Sequence, residues 1–278
     1  MRGRPGSFWR GTTLACAGAL GLLAVAAVLA PWISPDSPAR IDIARSFAPP
    51  GPGQWLGRDA LGRDVLSRML QGARVSLGVG LGAALGLTAV GTLLGACGGY
   101  AGGWVDAAIM RCADVLLAVP GWFLILALVA LLGPGLGNVI LVIVATGWAG
   151  MARLVRGEVL SLRGREFVVA ARASGQCPWR VLTRHVLPNA LAPVYVALTF
   201  GVADAILTES GLSFLGLGVQ PPTASWGSLL GDGREAADQA WWLMVFPGAA
   251  VFGVLLLVNH LGEAARRRFD PRGAHEPA

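Results

Sequence analysis

The chain contains no lysine: all 22 of its basic residues are arginine. A phosphate-binding Walker A loop needs its lysine, so a conventional ATPase site is excluded. Catalysis through a lysine Schiff base is excluded for the same reason. Histidine is scarce, with only His185, His260 and His275, and no His-Glu-x-x-His zinc motif occurs. No serine occupies a Gly-x-Ser-x-Gly elbow; the nearest approach, Glu209-Ser210-Gly211, has no histidine close to it in sequence. The four cysteines (Cys16, Cys97, Cys112 and Cys177) form no metal-like pair and read as free thiols. Charge is sparse too: 14 % of residues are charged, against about 25 % in a soluble domain.

Apolar residues take the place of charge. They make up 54 % of the chain, with 40 glycines and a mean hydropathy of +0.61. About 20 apolar residues cross a bilayer as a helix, and six runs qualify, at 12–33, 76–98, 106–132, 136–157, 189–210 and 241–262. Their lack of strand-like alternation selects helices. Glycines at 78, 80, 82, 86, 91 and 95 read as close helix packing rather than ligand binding. The N-terminal run, with Arg2, Arg4, Arg10 and Val28-Leu29-Ala30, imitates a secretory signal. Pro31 directly after Ala30 argues against cleavage there, so it reads as an uncleaved first span.

Arginine clusters near both chain ends and between Arg153 and Arg184. The positive-inside rule then puts both termini and the 158–188 segment in the cytoplasm. The segment of about 34–75 falls outside despite six arginines, only partly offset by Asp36, Asp42, Asp59 and Asp64. The pI near 10.1 therefore reflects topology and an anionic leaflet, not nucleic acid, for which no recognition pattern appears. Four carboxylates fall within spans: Asp106, Asp114, Asp204 and Glu209. Arg111 stands three residues from Asp114, a spacing that lets the two neutralise each other on one helix. Asp204 and Glu209 are candidates for a translocation path; five residues apart, they need not share a face, and Glu209 has the option of solvation at the outer end of its span.

Between two of the spans lies a polar island: Glu166-Phe-Val-Val-Ala170-Ala171-Arg172-Ala-Ser-Gly175, resuming at His185-Val-Leu187-Pro188-Asn189. Gly175 allows a left-handed turn between two short helices, and Pro188 suits the first turn of the fifth span. Such an element, projecting from a lipid-buried body, is built to be gripped from outside the membrane.

Three further blocks accompany the island. One is Leu56-Gly57-Arg58-Asp59 with Gly62-Arg63-Asp64 and Arg68, continuing to Gly72-Ala-Arg74-Val-Ser76. Another runs from Ile206-Leu-Thr208-Glu209-Ser-Gly211 through Gly216, Gly218 and Pro221-Pro222 to Ser225-Trp226-Gly227. The last is Trp241-Trp242 with Phe246-Pro247-Gly248, Asn259 and Asp270-Pro271-Arg272. Together the four blocks, spanning about 55–272, resemble a permease subunit of the binding-protein-dependent ABC importers, in the dipeptide/oligopeptide/nickel branch. The resemblance implies an all-α membrane protein of six transmembrane helices with the type I importer (MetI-like) fold. It implies a cytoplasmic N-terminus and first helix (1–33), an extracytoplasmic segment (34–75), a five-helix core (76–265) with a coupling loop (158–188), and a cytoplasmic tail (266–278).

The island resembles the family's EAA loop, which implies docking to an ATPase through Glu166, Ala170, Ala171, Arg172, Gly175, His185, Leu187 and Pro188. Ala170, Ala171 and Gly175 fit the family's spacing, but Val169 stands at its usual Glu position. The implied partners are a second homologous permease, two cytoplasmic ATPases, an extracytoplasmic substrate-binding protein and membrane lipid. ATP and magnesium would be bound by the partners, leaving this chain non-catalytic and without a cofactor, in a bacterial inner membrane. Peptides and nickel complexes both remain open as solutes, and a solitary channel or an intramembrane enzyme stands as the alternative from another class. His185 reads as a structural hydrogen-bonder and Trp241 and Trp242 as an interfacial aromatic belt; the arginines and aspartates of the first block read either as surface ion pairs worth about 0–1 kcal/mol each or as contacts for the docking binding protein.

Overall fold

Apolar runs that enter a bilayer must satisfy their backbone internally, and here they do so as helices. The computed structural model describes residues 5–269, with side chains from residue 11 onward; Arg2, Arg4 and Asp270-Pro271-Arg272 lie outside the described residues. Among the described residues there are ten α-helices and no strand. They are α1 (Pro5–Ile33), α2 (Val65–Ala101), α3 (Gly103–Ala118), α4 (Gly121–Leu132), α5 (Leu136–Leu162), α6 (Glu166–Ala173), α7 (Pro178–Val181), α8 (Leu187–Phe214), α9 (Trp226–Glu235) and α10 (Trp242–Phe269). Five stretches are long and apolar enough to cross a membrane: Gly11–Ile33, α2, α5, Pro178–Phe214 and α10.

The sixth expected span, 106–132, is not one straight helix. It is the pair α3 and α4, bent by 92°. Pro120 explains the corner, because the ring of a proline drives the preceding residue out of the helical region. Val119 is accordingly extended, with φ −93° and ψ 133°. The second span also differs from expectation, since α2 begins at Val65 rather than near 76. Asp64 precedes it and accepts from the Ser67 backbone N–H (2.8 Å) and hydroxyl (2.7 Å), which caps the helix eleven residues early. The helix α9 lies between the last two expected spans; Ser225 and Ser228 close a reciprocal capping box at its start.

The chain divides into two compact units. The first comprises Met1–Gly82, Val129–Ile140 and Gly201–Leu261. Its core joins Ala27, Ala73, Ala203, Ile206, Trp226, Leu229, Val251, Val254 and Val258, with a smaller cluster of Val65, Ala236, Ala240, Trp242 and Leu243. Trp242 is therefore a core residue, 4 % exposed, and its indole N–H donates to the Arg58 carbonyl (3.2 Å); only Trp241 is exposed. The expected surface ion pairs of the first block are also buried. Asp59 accepts from Arg63 Nε (2.7 Å), from Arg68 and from the backbone N–H groups of Leu61 and Arg63, while Arg68 reaches Asp232 (3.0 Å). Gly57 and Gly62 have left-handed φ of +78° and +69°. A Cβ on Gly62 would fall 1.7 Å from the Asp42 carbonyl oxygen, so side chains are excluded there on both grounds.

The second unit comprises Ala83–Leu128, Leu141–Phe200 and Gly262–Ala278. Its organising contact is α2 against α5. A Cβ on Gly86 would sit 2.6 Å from Val144, one on Gly91 2.5 Å from Met151 and one on Gly95 2.3 Å from the Ala152 carbonyl. Small residues let the two backbones approach, the means by which membrane helices associate without a hydrophobic drive. Of the six glycines read as packing positions, Gly86, Gly91 and Gly95 are in this contact and Gly80 is in a similarly close one with Ile206 of α8, whereas Gly78 and Gly82 face open space.

Candidate coupling element and membrane carboxylates

The island is a helix–turn–helix standing between α5 and α8. Helix α5 ends at Leu162, and the Arg163 guanidinium donates to the Gly99 carbonyl (3.3 Å). Helix α6 then turns Val168 and Ala171 inward and leaves Glu166, Phe167, Val169, Ala170 and Arg172 exposed. Its end is a Schellman motif: Gly175 N–H donates to the Arg172 carbonyl and Gln176 N–H to that of Ala171. Gly175 sits at φ +78°, the left-handed value expected of it. The Arg172 guanidinium lies 4.9 Å from the centre of the Tyr100 ring, a cation–π contact that orients it.

Helix α7 opens on Pro178, a residue suited to a first helical turn. Pro178, not Pro188, therefore starts the fifth long helix. Pro188 lies inside a continuous run, accommodated by a π-helical turn at Leu182–Val186. The Asn189 side-chain amide donates to the His185 carbonyl (2.7 Å) beside the proline that has no N–H to offer. His185 is a structural hydrogen-bonder, as expected: Nε2 is 3.0 Å from Gln176 Oε1, tying the turn to the π-helical segment that leads into α8. Leu187 is half-buried and Pro188 exposed. Of the eight expected docking residues, Ala171 has its side chain 7 % exposed, within its own chain; it seats α6 and presents no surface. The sequence reading missed the exposed Phe167, Val169 and Trp179 (43, 53 and 61 %). Their signal was present, as aromatic or β-branched residues close to arginines in the 158–188 segment.

The carboxylates are placed differently from the sequence reading. Asp114 pairs with Arg153 rather than Arg111, and Asp106 with Arg156, whose Nη2 is 2.6 Å from Oδ2. Both pairs join α3 to α5. Glu209 is not solvated at a span end; it is 0 % exposed and accepts from the hydroxyls of Ser76 (3.0 Å) and Ser213 (2.7 Å). Those hydroxyls accept in turn from the backbone N–H of Trp226 and Val219. Glu209 thus ties α2, α8 and the start of α9 together and is unavailable to a path. Asp204 is exposed, on the face of α8 that also carries Phe200 and Leu207.

Comparison with known proteins agrees with this architecture. Residues 88–274 match the family described as binding-protein-dependent transport system inner membrane component. The dipeptide transport system permease protein of Bacillus subtilis (strain 168) is 40 % identical over 251 residues, which cover 90 % of this chain and 78 % of that protein. The dipeptide transport system permease protein of Alkalihalophilus pseudofirmus is 41 % identical over 246 residues, covering 88 % and 81 %. The glutathione transport system permease protein of Shigella flexneri serotype 5b is 43 % identical over 252 residues, covering 90 % and 83 %. The chain therefore belongs to the binding-protein-dependent transport system inner membrane components, the permease subunits of ABC importers.

Proposed function

We propose that this chain forms half of the translocation path of an ATP-driven peptide importer and is moved by a cytoplasmic ATPase through α6 and α7. The carrying observation is that this short element exposes Phe167, Val169, Ala170 and Trp179 together with Arg172, Arg180 and Arg184. Large apolar side chains exposed beside charged ones are the composition of a protein interface. The turn within this element is held by Gly175 and by the His185–Gln176 bond, so a push on it passes to α8 as a rigid displacement. Peptides are the supported solutes because relatives covering about nine-tenths of this chain are named for dipeptides and glutathione.

On this reading the termini and the α6–α7 element are cytoplasmic, in a bacterial inner membrane. A second permease completes the path, and two ATPases bind ATP and magnesium. An extracytoplasmic protein delivers the solute, and no reaction is catalysed by this chain. The test is isolation in mild detergent of the chain expressed with its neighbouring genes. A second permease and ATP-hydrolysing subunits should co-purify, and Phe167→Glu with Trp179→Glu should release the ATPases while the permeases stay together. Retention of the ATPases by that double variant would overturn the docking assignment.

A further inference from the structure

In α8, from Leu187 to Phe214, there is no arginine, lysine or histidine, and the two acids are Asp204 and Glu209. Glu209 is fully buried and satisfied by two serine hydroxyls. Asp204 is exposed, and no described residue pairs with its carboxylate or hydrogen-bonds to it. It lies ten residues before the end of α8 and seventeen after its start, so at least about 15 Å of helix separates it from either end. The continuous helix that carries it is long and apolar enough to cross a membrane. A carboxylate well inside a membrane-crossing helix is tolerated where it faces a water-filled path or a partner charge, not lipid.

The neighbouring exposed residues on that face are Phe200, one turn before, and Leu207, one turn after. They leave a single negative group on an apolar wall. Such a wall raises the local concentration of cations and repels anions, and the cation common to unmodified peptides is the terminal ammonium.

We propose that Asp204 lines the solute path and selects for the free ammonium group of the transported peptide. The inference rests on the importer reading and adds to it the feature of the solute that is recognised within the membrane. The α-ammonium meets the Asp204 carboxylate while the apolar flanks accept side chains of varied kind. N-acylated peptides, which lack that charge, are disfavoured.

The test uses the assembled importer in proteoliposomes, with Cys16, Cys97, Cys112 and Cys177 replaced and Leu207→Cys as the reporter. Its reaction is timed with a trimethylammonium and a sulfonate methanethiosulfonate of similar size. The cationic reagent should be favoured over the anionic one, relative to a free thiol, by on the order of tenfold. Asp204→Asn should remove that preference and Asp204→Glu should keep it. In parallel, Asp204→Asn should lower uptake of a free-amine dipeptide at least about tenfold and abolish its advantage over the N-acetyl form.

A reporter that reacts with neither reagent, or a preference unchanged by Asp204→Asn, would overturn the proposal. So would loss of the second permease from the Asp204→Asn complex, which would make Asp204 an assembly contact. ATP hydrolysis by the unsubstituted complex that peptide-loaded binding protein fails to stimulate would count against the importer reading, whatever the labelling shows.

Discussion

A single residue in this chain is often decided by one contact. Glu209 is held by Ser76 and Ser213, both of which lose their acceptor in Glu209→Ala. Burying two unsatisfied hydroxyls should lower stability by about 1–3 kcal/mol for each, read as an earlier thermal transition in detergent. Glu209→Gln keeps an acceptor oxygen and should lose less; equal losses would show that the hydroxyl contacts contribute little. Gly175 has open space around its α-carbon, so a side chain there meets strain rather than collision. Gly175→Ala should cost about 1–2 kcal/mol in the left-handed turn and reduce transport, with Gly175→Asn milder on both. Full transport by the alanine variant would mean that the turn is not part of the coupling.

Elements are joined by contacts that reach far along the chain. Arg68, 4 % exposed, bridges Asp59 at the loop before α2 and Asp232 on α9. Arg68→Ala should destabilise by up to about 3 kcal/mol, the lower end for a broken buried pair, because Arg63 still holds Asp59. A shift within error in the thermal transition would reassign the network to surface charge. The α2–α5 contact makes a sharper contrast. Gly95→Ala pushes a methyl group against the Ala152 carbonyl and should cost about 1–3 kcal/mol. Gly150→Ala, on the open side of α5, should stay within about 1 kcal/mol of the parent. Similar effects from the two would deny the close approach.

At the scale of the whole molecule, the chain leaves much apolar surface uncovered. Only 11 % of the most apolar stretch of α1 is buried, against 28–39 % in the other long helices. Leu14, Leu22, Val28 and Trp32 are each more than 60 % exposed. Lipid covers part of such a surface and partner subunits the rest. Partner binding favours the folded state by mass action, so the chain alone in detergent should unfold at a lower temperature than the chain within its complex. An equal transition temperature in both preparations would argue against a stabilising permease partner.

Much of this protein was legible without its tertiary structure. Long apolar runs predict helices because lipid offers the backbone no other partner, and local punctuation at Gly175 fixes a turn because only neighbouring atoms are involved. The corner at Val119-Pro120 was equally local, yet its apolar flanks read as one span because hydropathy carries no direction. What the sequence alone left undecided depends on residues brought together from far apart. Asp114 chose Arg153 over its helical neighbour Arg111, Glu209 found Ser76 across 133 positions, and Ala171 turned inward while Ala170 did not. Phase around a helix and partners across the fold are set by packing, and packing is a property of the assembled chain rather than of any segment of it.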